Sequence, residues 1–178
     1  MRRKDTHFHA VHSFSYVDGS LRCEGIELNQ IADDFGTPAY VYSAGTIREN
    51  YCRLDQALAP LDHLVCYAVK ANSNIAVLNL LAKIGSGFDI VSGGELFRAL
   101  KAGGDPKKIV FSGVGKKPQE IKAALDAGIL MFNVESEEEL TALNQIARQQ
   151  HRIDIIGFNE LIHRCSQGLV AINAITQY

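Results

Sequence analysis

Tryptophan is absent from the 178 residues, and cysteine, proline and methionine are scarce, at four, four and two. The cysteines, Cys23, Cys52, Cys66 and Cys165, stand too far apart for a Cys-x-x-Cys pair. That spacing argues against both a local zinc site and a disulfide framework. No apolar run approaches the roughly 20 residues of a membrane-spanning helix. Neither sign of charge is in excess: 18 Lys and Arg face 20 Asp and Glu, a net charge of −2. This balance gives no electrostatic case for nucleic acid or an anionic membrane as partner. Arg2, Arg3 and Lys4 form a short basic cluster, but residues 7–17 lack the apolar core of a signal peptide. The expectation is a cytoplasmic protein with reduced thiols, in which Cys66, inside an apolar run, is packed core rather than nucleophile.

What is present is a recurring unit. From residue 37 onward a short β-branched and aromatic run is followed by a polar turn and then a helix-period segment closed by Gly or Pro. The runs fall at residues 39–42, 64–69, 88–91, 109–111, 130–134 and 153–156, far enough apart for one crossover helix each. Helix ends are well marked. Asn74 precedes a stripe of Ile75, Leu78, Leu81 and Ala82 that stops at Gly85. Gly103-Gly104-Asp105-Pro106 closes a helix beginning near Glu95, Pro118 suits a first turn, and Gly128 suits a left-handed end. Ser136 with Glu139 reads as a capping box. Alternation of this kind calls for a parallel sheet covered by helices. Pattern alone does not separate an open doubly wound sheet from a (β/α)8 barrel, and length favours the open sheet, because a full barrel needs about 250 residues. Residues 1–36 differ in character: a weakly alternating segment, a turn at Val17-Asp18-Gly19-Ser20, and a short helix over 28–35 ending at Gly36-Thr37-Pro38.

Lys70 follows the second run, at the end of a parallel strand where α/β proteins bind ligands. Held against apolar walls, its amine would be free to condense with an aldehyde. The plainer alternative is a lysine that snorkels to water. Asp89, Ser92, Ser112, Asn133 and Glu135 stand at the ends of the following strands, either as a ring around one mouth or simply as polar loop starts. Gly85-Ser86-Gly87 has Ile90 where a dinucleotide fingerprint needs its third glycine. Gly115-Lys116 has Val110 and Lys117 where a Walker A loop needs Gly and Ser or Thr. Nucleotide binding is therefore not expected. His7, His9 and His12 cluster without a carboxylate or thiol to complete a metal site, so no metal is expected.

Five blocks in register carry a family resemblance: Gly36-Thr37-Pro38-Ala39-Tyr40-Val41-Tyr42, Tyr67-Ala68-Val69-Lys70-Ala71-Asn72, Gly87-Phe88-Asp89-Ile90-Val91-Ser92-Gly93-Gly94-Glu95, Phe111-Ser112-Gly113-Val114-Gly115-Lys116 and Phe132-Asn133-Val134-Glu135-Ser136. Together they resemble the fold type III, alanine-racemase-like decarboxylases that use pyridoxal 5'-phosphate (PLP), and within them the diaminopimelate decarboxylases more than the ornithine and arginine branch. The resemblance implies a partial (β/α)8 barrel, about six of eight strands, and so overrides the preference for an open sheet. Residues 1–36 would belong to the family's β-domain, 37–157 to the PLP-binding barrel, and 158–178 to a tail outside the pattern. It implies that Lys70 carries PLP, that Asp89 lies beside the cofactor, and that the substrate is an amino acid, meso-diaminopimelate, converted to L-lysine in a homodimer.

After residues 152–158, which resemble the sixth barrel strand, the family pattern stops at Asn159. The resemblance also implies a stacking histidine, a glycine-rich phosphate loop, a glutamate for the pyridine nitrogen, and a cysteine and tyrosine from across the dimer. None of these has a counterpart here, and His163 and Cys165 do not stand in matching surroundings. The abrupt change is read as a slipped reading frame near residue 158, with a natural short form as the alternative. Six strands do not close a barrel, so unpaired edges, poor stability or partner dependence, and no turnover by the chain alone are expected. Two alternatives accompany this reading: a non-catalytic protein that binds full-length relatives, and a fragment of an ornithine- or arginine-type decarboxylase.

Overall fold

The computed structural model describes residues 13–149 and 170–174. The chain divides between Cys52 and Arg53 into two compact units. The expected strand at 153–156, the basic cluster at residues 2–4, His7, His9, His12, His163 and Cys165 lie outside the described residues.

In the first unit β1 (Phe14–Val17) pairs antiparallel with β2 (Ser20–Cys23), and β2 with β3 (Ile26–Glu27). The turn read at 17–20 is there. Asp18 and Gly19 both have positive φ, 51° and 81°, as a two-residue hairpin of primed type requires. α1 (Leu28–Phe35) follows and ends at Gly36, whose φ of 81° breaks the helical path. Residues 39–42 do not form the expected first strand. Tyr40 is 89% exposed there, and an extended run without a neighbouring ladder leaves its backbone groups to water. α2 (Ala44–Leu58) then begins on a built cap. The Thr46 N–H donates to Ser43 Oγ at 2.9 Å, while the Ser43 hydroxyl and the Gly45 N–H donate to Glu24 Oε1 at 2.6 and 2.7 Å. A carboxylate at exposed N–H groups of a helix start is favoured by hydrogen bonding and by the helix dipole. These two donors hold the Glu24 carboxyl below its ordinary range.

The second unit carries the parallel sheet. β4 (His63–Ala68), β5 (Gly87–Ile90), β6 (Ile109–Phe111), β7 (Met131–Phe132) and β8 (Val170–Ala174) lie in the order β7-β6-β5-β4-β8, every neighbouring pair parallel. The crossovers between β4 and β7 are α3 (Ile75–Lys83), α4 (Gly93–Lys101) and α5 (Pro118–Ala127), and α6 (Glu137–Gln149) follows β7. The α/β class and four of the expected strands therefore stand. The neighbour of β4 on its outer side is Val170–Ala174, a segment whose sequence carried no family pattern. A sheet edge accepts any extended segment that offers a matching row of N–H and C=O groups, which explains why motif reading did not find it.

Local signals account for the helix boundaries. Asn74 accepts from the Ala76 N–H at 2.9 Å, and Ser92 from the Glu95 N–H at 3.2 Å, so α4 starts earlier than the expected Glu95. Pro118 opens α5, and Gly128 closes it with φ 68° and ψ 46°. The Glu139 N–H donates to Ser136 Oγ at 3.1 Å, which is half of the expected capping box. The other half is missing because the Glu139 carboxylate is drawn to Lys116, at 2.6 Å.

β5 is buried along its whole length, as a central parallel strand covered on both faces should be. Phe88, Ile90, Ile109, Phe111, Leu78 and Leu125 are fully buried, and the rings of Phe111 and Phe132 stack with centroids 5.8 Å apart. Such side chains each contribute about 1.5–3 kcal/mol on leaving water. Cys66 is part of this core, as expected. Burial pushes its thiol up to about 12, so it is protonated and a poor nucleophile at neutral pH.

Candidate active site at the strand C-termini

Parallel strands place all their C-terminal ends on one edge of the sheet, and the polar residues singled out in the sequence collect there. β4 ends at Ala68, and a single 3-10 turn, Val69–Ala71, carries Lys70. Val69 is fully buried and Lys70 exposed. The apolar walls considered for Lys70 are therefore not formed by the described residues, and its amine is accessible. In the ladder Ala68 stands level with Asp89 on β5, and Asp89 with Val110 on β6. Asp89 is thus two residues in register from Lys70.

Asp89 is 4% exposed. The Ser112 hydroxyl donates to its Oδ1 at 2.5 Å, and Asn133 Nδ2 donates to Ser112 Oγ at 2.9 Å. One chain of hydrogen bonds therefore crosses the ends of β5, β6 and β7. Burial raises the Asp89 carboxyl above its ordinary range, against the opposing pull of the Ser112 hydroxyl and the Lys70 charge. Glu95, in the first turn of α4, accepts from the Val91 N–H at 2.8 Å. Burial raises it also, with the Val91 N–H lowering it, Asp89 adding to the rise and Lys70 opposing it. Of the other strand-end residues, Ser92 serves as a helix cap, while Glu135 is exposed and outside the hydrogen-bonded chain.

Two further residues build this edge and were not singled out as functional. Lys116, which fails as a Walker A lysine and closes one of the family blocks, is 1% exposed. Its Nζ donates to Gly113 O (2.7 Å), Asn133 O (2.7 Å) and Glu139 Oε1 (2.6 Å), and lies 5.7 Å from the Phe111 ring centroid. Three donors meet three acceptors, so the ammonium is fully satisfied. Glu120 of α5 accepts from the Gly93 N–H at 2.8 Å and the Lys117 N–H at 3.0 Å, tying the start of α5 to the start of α4. The Glu120–Lys117 bond has the three-residue spacing of a helix capping box, whereas the contacts of Glu120 with Gly93 and of Lys116 with Asn133 and Glu139 join segments distant in sequence.

The two Glu120 hydrogen bonds lower its carboxyl below the ordinary range. A depressed acid stabilises the fold above its unfolded value, about 4.3, and that contribution is lost as pH falls through the lower folded value. Asp89 and Glu95, being raised, act in the opposite sense: their contribution is lost as pH rises from the ordinary carboxylate value through their higher folded values. Glu120→Gln is therefore expected to lower stability at neutral pH and to narrow its gap to wild type as the pH drops below about 4. Urea unfolding at a series of pH values checks this, and a gap independent of pH would refute it.

Among the described residues no group of histidine, cysteine and carboxylate side chains forms a metal site, and no helix is long and apolar enough to cross a membrane. The described residues thus place an exposed lysine and a buried, hydrogen-bonded carboxyl at the C-terminal edge of one parallel sheet. Residues 44–167 match the family model described as "Pyridoxal-dependent decarboxylase, pyridoxal binding domain", and the chain belongs to that family. The match runs past residue 157, where the recognisable motifs stop. Among curated relatives, the diaminopimelate decarboxylase of Pseudomonas aeruginosa is 56% identical over 137 residues, 77% of this chain and 33% of that protein. Two solved structures give the same picture in three dimensions. The diaminopimelate decarboxylase of M. jannaschii in complex with L-lysine is similar with a TM-score of 0.77 and 38% identity, over 80% of this chain and 34% of that one. The Helicobacter pylori enzyme complexed with L-lysine gives 0.68 and 44%, over 70% and 32%. The chain thus spans about a third of the length of the relatives it matches.

Proposed function

We propose that this chain is the cofactor-binding part of a PLP-dependent decarboxylase acting on meso-diaminopimelate, with Lys70 as the residue that holds PLP and Asp89 beside it. The observation that carries the reading is the exposed Lys70, in the single turn after β4, beside the buried Asp89 that stands level with Ala68 on β5, with the half-buried Glu95 at the start of the next helix. When bound, PLP supplies the electron sink for loss of a carboxylate, and the protein's task is to orient the bond being broken. In this chain Lys70 provides the attachment point. Asp89 and Glu95 provide negative charge at the cofactor's side of the sheet edge. Ser112 and Asn133 complete the polar lining.

The similar proteins at 38–56% identity are diaminopimelate decarboxylases, two of them in complex with L-lysine, which supports that substrate over ornithine or arginine. The chain is proposed to work in the cytoplasm and, within a longer assembly, as part of a homodimer. Because it spans about a third of its relatives, turnover by the chain alone is not expected. A purely non-catalytic binding role has no specific observation in its favour.

The test is reductive trapping. The purified chain is incubated with PLP and reduced with borohydride, and the modified peptide is mapped by mass spectrometry. Label confined to the peptide bearing Lys70, and lost in Lys70→Ala, is the expected result. Label spread over surface lysines and unchanged in the variant would overturn the assignment.

A further inference from the structure

Ser112 and Asn133 directly follow the neighbouring strands β6 and β7, and their hydrogen bonds have a fixed direction. A serine hydroxyl has one proton. Asn133 Nδ2 donates to Ser112 Oγ at 2.9 Å, so the oxygen is used as an acceptor and its own proton is left for Asp89 Oδ1, 2.5 Å away. The Asn133 amide is in turn held in place from its backbone. Its carbonyl accepts from Lys116 Nζ and its N–H donates to Phe111 O, at 2.7 and 2.9 Å. The Lys116 side chain is buried and has Gly113 O and Glu139 as its other partners, so it cannot swing away without leaving acceptors unpaired. The links join the ends of β5, β6 and β7 to the loop after β6 and the first turn of α6.

We infer that Ser112 and Asn133 are positioning residues for Asp89: the asparagine amide orients the serine hydroxyl, and the hydroxyl holds the Asp89 carboxyl in place at the sheet edge that carries Lys70. A carboxylate inside a nearly dry strand end needs a donor of fixed direction, because a free hydroxyl rotor would spend part of its time as an acceptor facing the charge. The two residues act through Asp89 and are not assigned contact with substrate. Its value for PLP chemistry rests on the function proposed above, but the arrangement itself is a property of the chain without cofactor.

The closing experiment therefore uses the chain without PLP. The Asp89 side-chain carboxyl is followed by carbon-13 NMR across a pH titration, assigned by its loss in Asp89→Asn. Ser112→Ala, which removes only one oxygen, is expected to raise the Asp89 midpoint by about one pH unit, the scale of one hydrogen bond to a charged group. Asn133→Ala leaves the hydroxyl in place and should raise the midpoint by a smaller, measurable amount. The double variant should match Ser112→Ala alone, since the asparagine acts only through the hydroxyl. An unchanged midpoint in Ser112→Ala would overturn the proposal, as would shifts in the two single variants that simply add. If Asn133→Ala does not fold, Asn133→Leu, which is of similar size, adds no charge and has no donor, takes its place, with a rise in the Asp89 midpoint expected and none refuting. Should trapping at Lys70 fail while these shifts appear, the function proposed above fails and the positioning role stands. The reverse pattern separates them in the other direction.

Discussion

Lys116→Met is expected to destabilise the second unit by about 3–5 kcal/mol, the cost of removing one member of a buried ion pair. The lysine side chain is 1% exposed and that of its partner Glu139 is 10% exposed. The methionine would fill much of the space but would leave the Glu139 carboxylate and the carbonyls of Gly113 and Asn133 without their donor. Those orphaned acceptors, more than the lost attraction, set the size of the effect. Adding Glu139→Leu should recover part of the loss, because it removes the unpaired charge while the two carbonyls remain unmet. Urea unfolding monitored by circular dichroism measures both. A single variant within about 1 kcal/mol of wild type would show that water replaces the ammonium without penalty.

Gly87→Ala is expected to cost about as much, for a steric rather than electrostatic reason. Gly87 lies in β5 with an ordinary strand backbone, so its lack of a side chain, not conformational freedom, is what matters. A Cβ built there would lie 2.5 Å from Lys108 O and 2.7 Å from Cys66 Sγ. The first contact is with backbone and has no rotamer to relieve it. Separating β5 from its neighbours would disturb the ladder that sets Asp89 level with Ala68. Overpacking a core by one methyl commonly costs 1–3 kcal/mol, and a clash with sheet backbone belongs at or above the upper end, about 3 kcal/mol. Gly94→Ala is the control. It lies in the first turn of α4, where a Cβ would meet nothing nearer than Ser92 Oγ at 3.8 Å, and alanine is the better helix former. Equal unfolding midpoints for the two variants would refute the steric argument.

The sequence went furthest where the signal is local. Asn74, Pro118 and Gly128 mark helix ends by the local preferences of their own residue types, and the structure places helix ends at all three. The strand runs at 64–69, 88–91, 109–111 and 130–134 are rich in residues that suit a pleated, buried surface, and all four contribute strands. Lys70 and Asp89 were visible because each stands at or beside a strand end and in a motif shared by a whole family. Ser112 and Asn133 were visible as polar residues at strand ends and within family blocks, with nothing to say that they bond to one another.

What the sequence by itself determined is the alternation of strand and helix, and with it a parallel sheet whose C-terminal edge gathers Lys70, Asp89, Ser112 and Asn133. The tertiary structure decided three things that no local pattern encodes. It left residues 39–42 outside the sheet and gave the edge of β4 to Val170–Ala174, because backbone pairing is indifferent to the motif that supplies the strand. It made Lys116 a buried clamp, because only the folded chain brings Gly113, Asn133 and Glu139 within reach of one ammonium. And it drew Glu139 away from its capping partner, since a buried cation binds a carboxylate more strongly than an exposed helix N–H does.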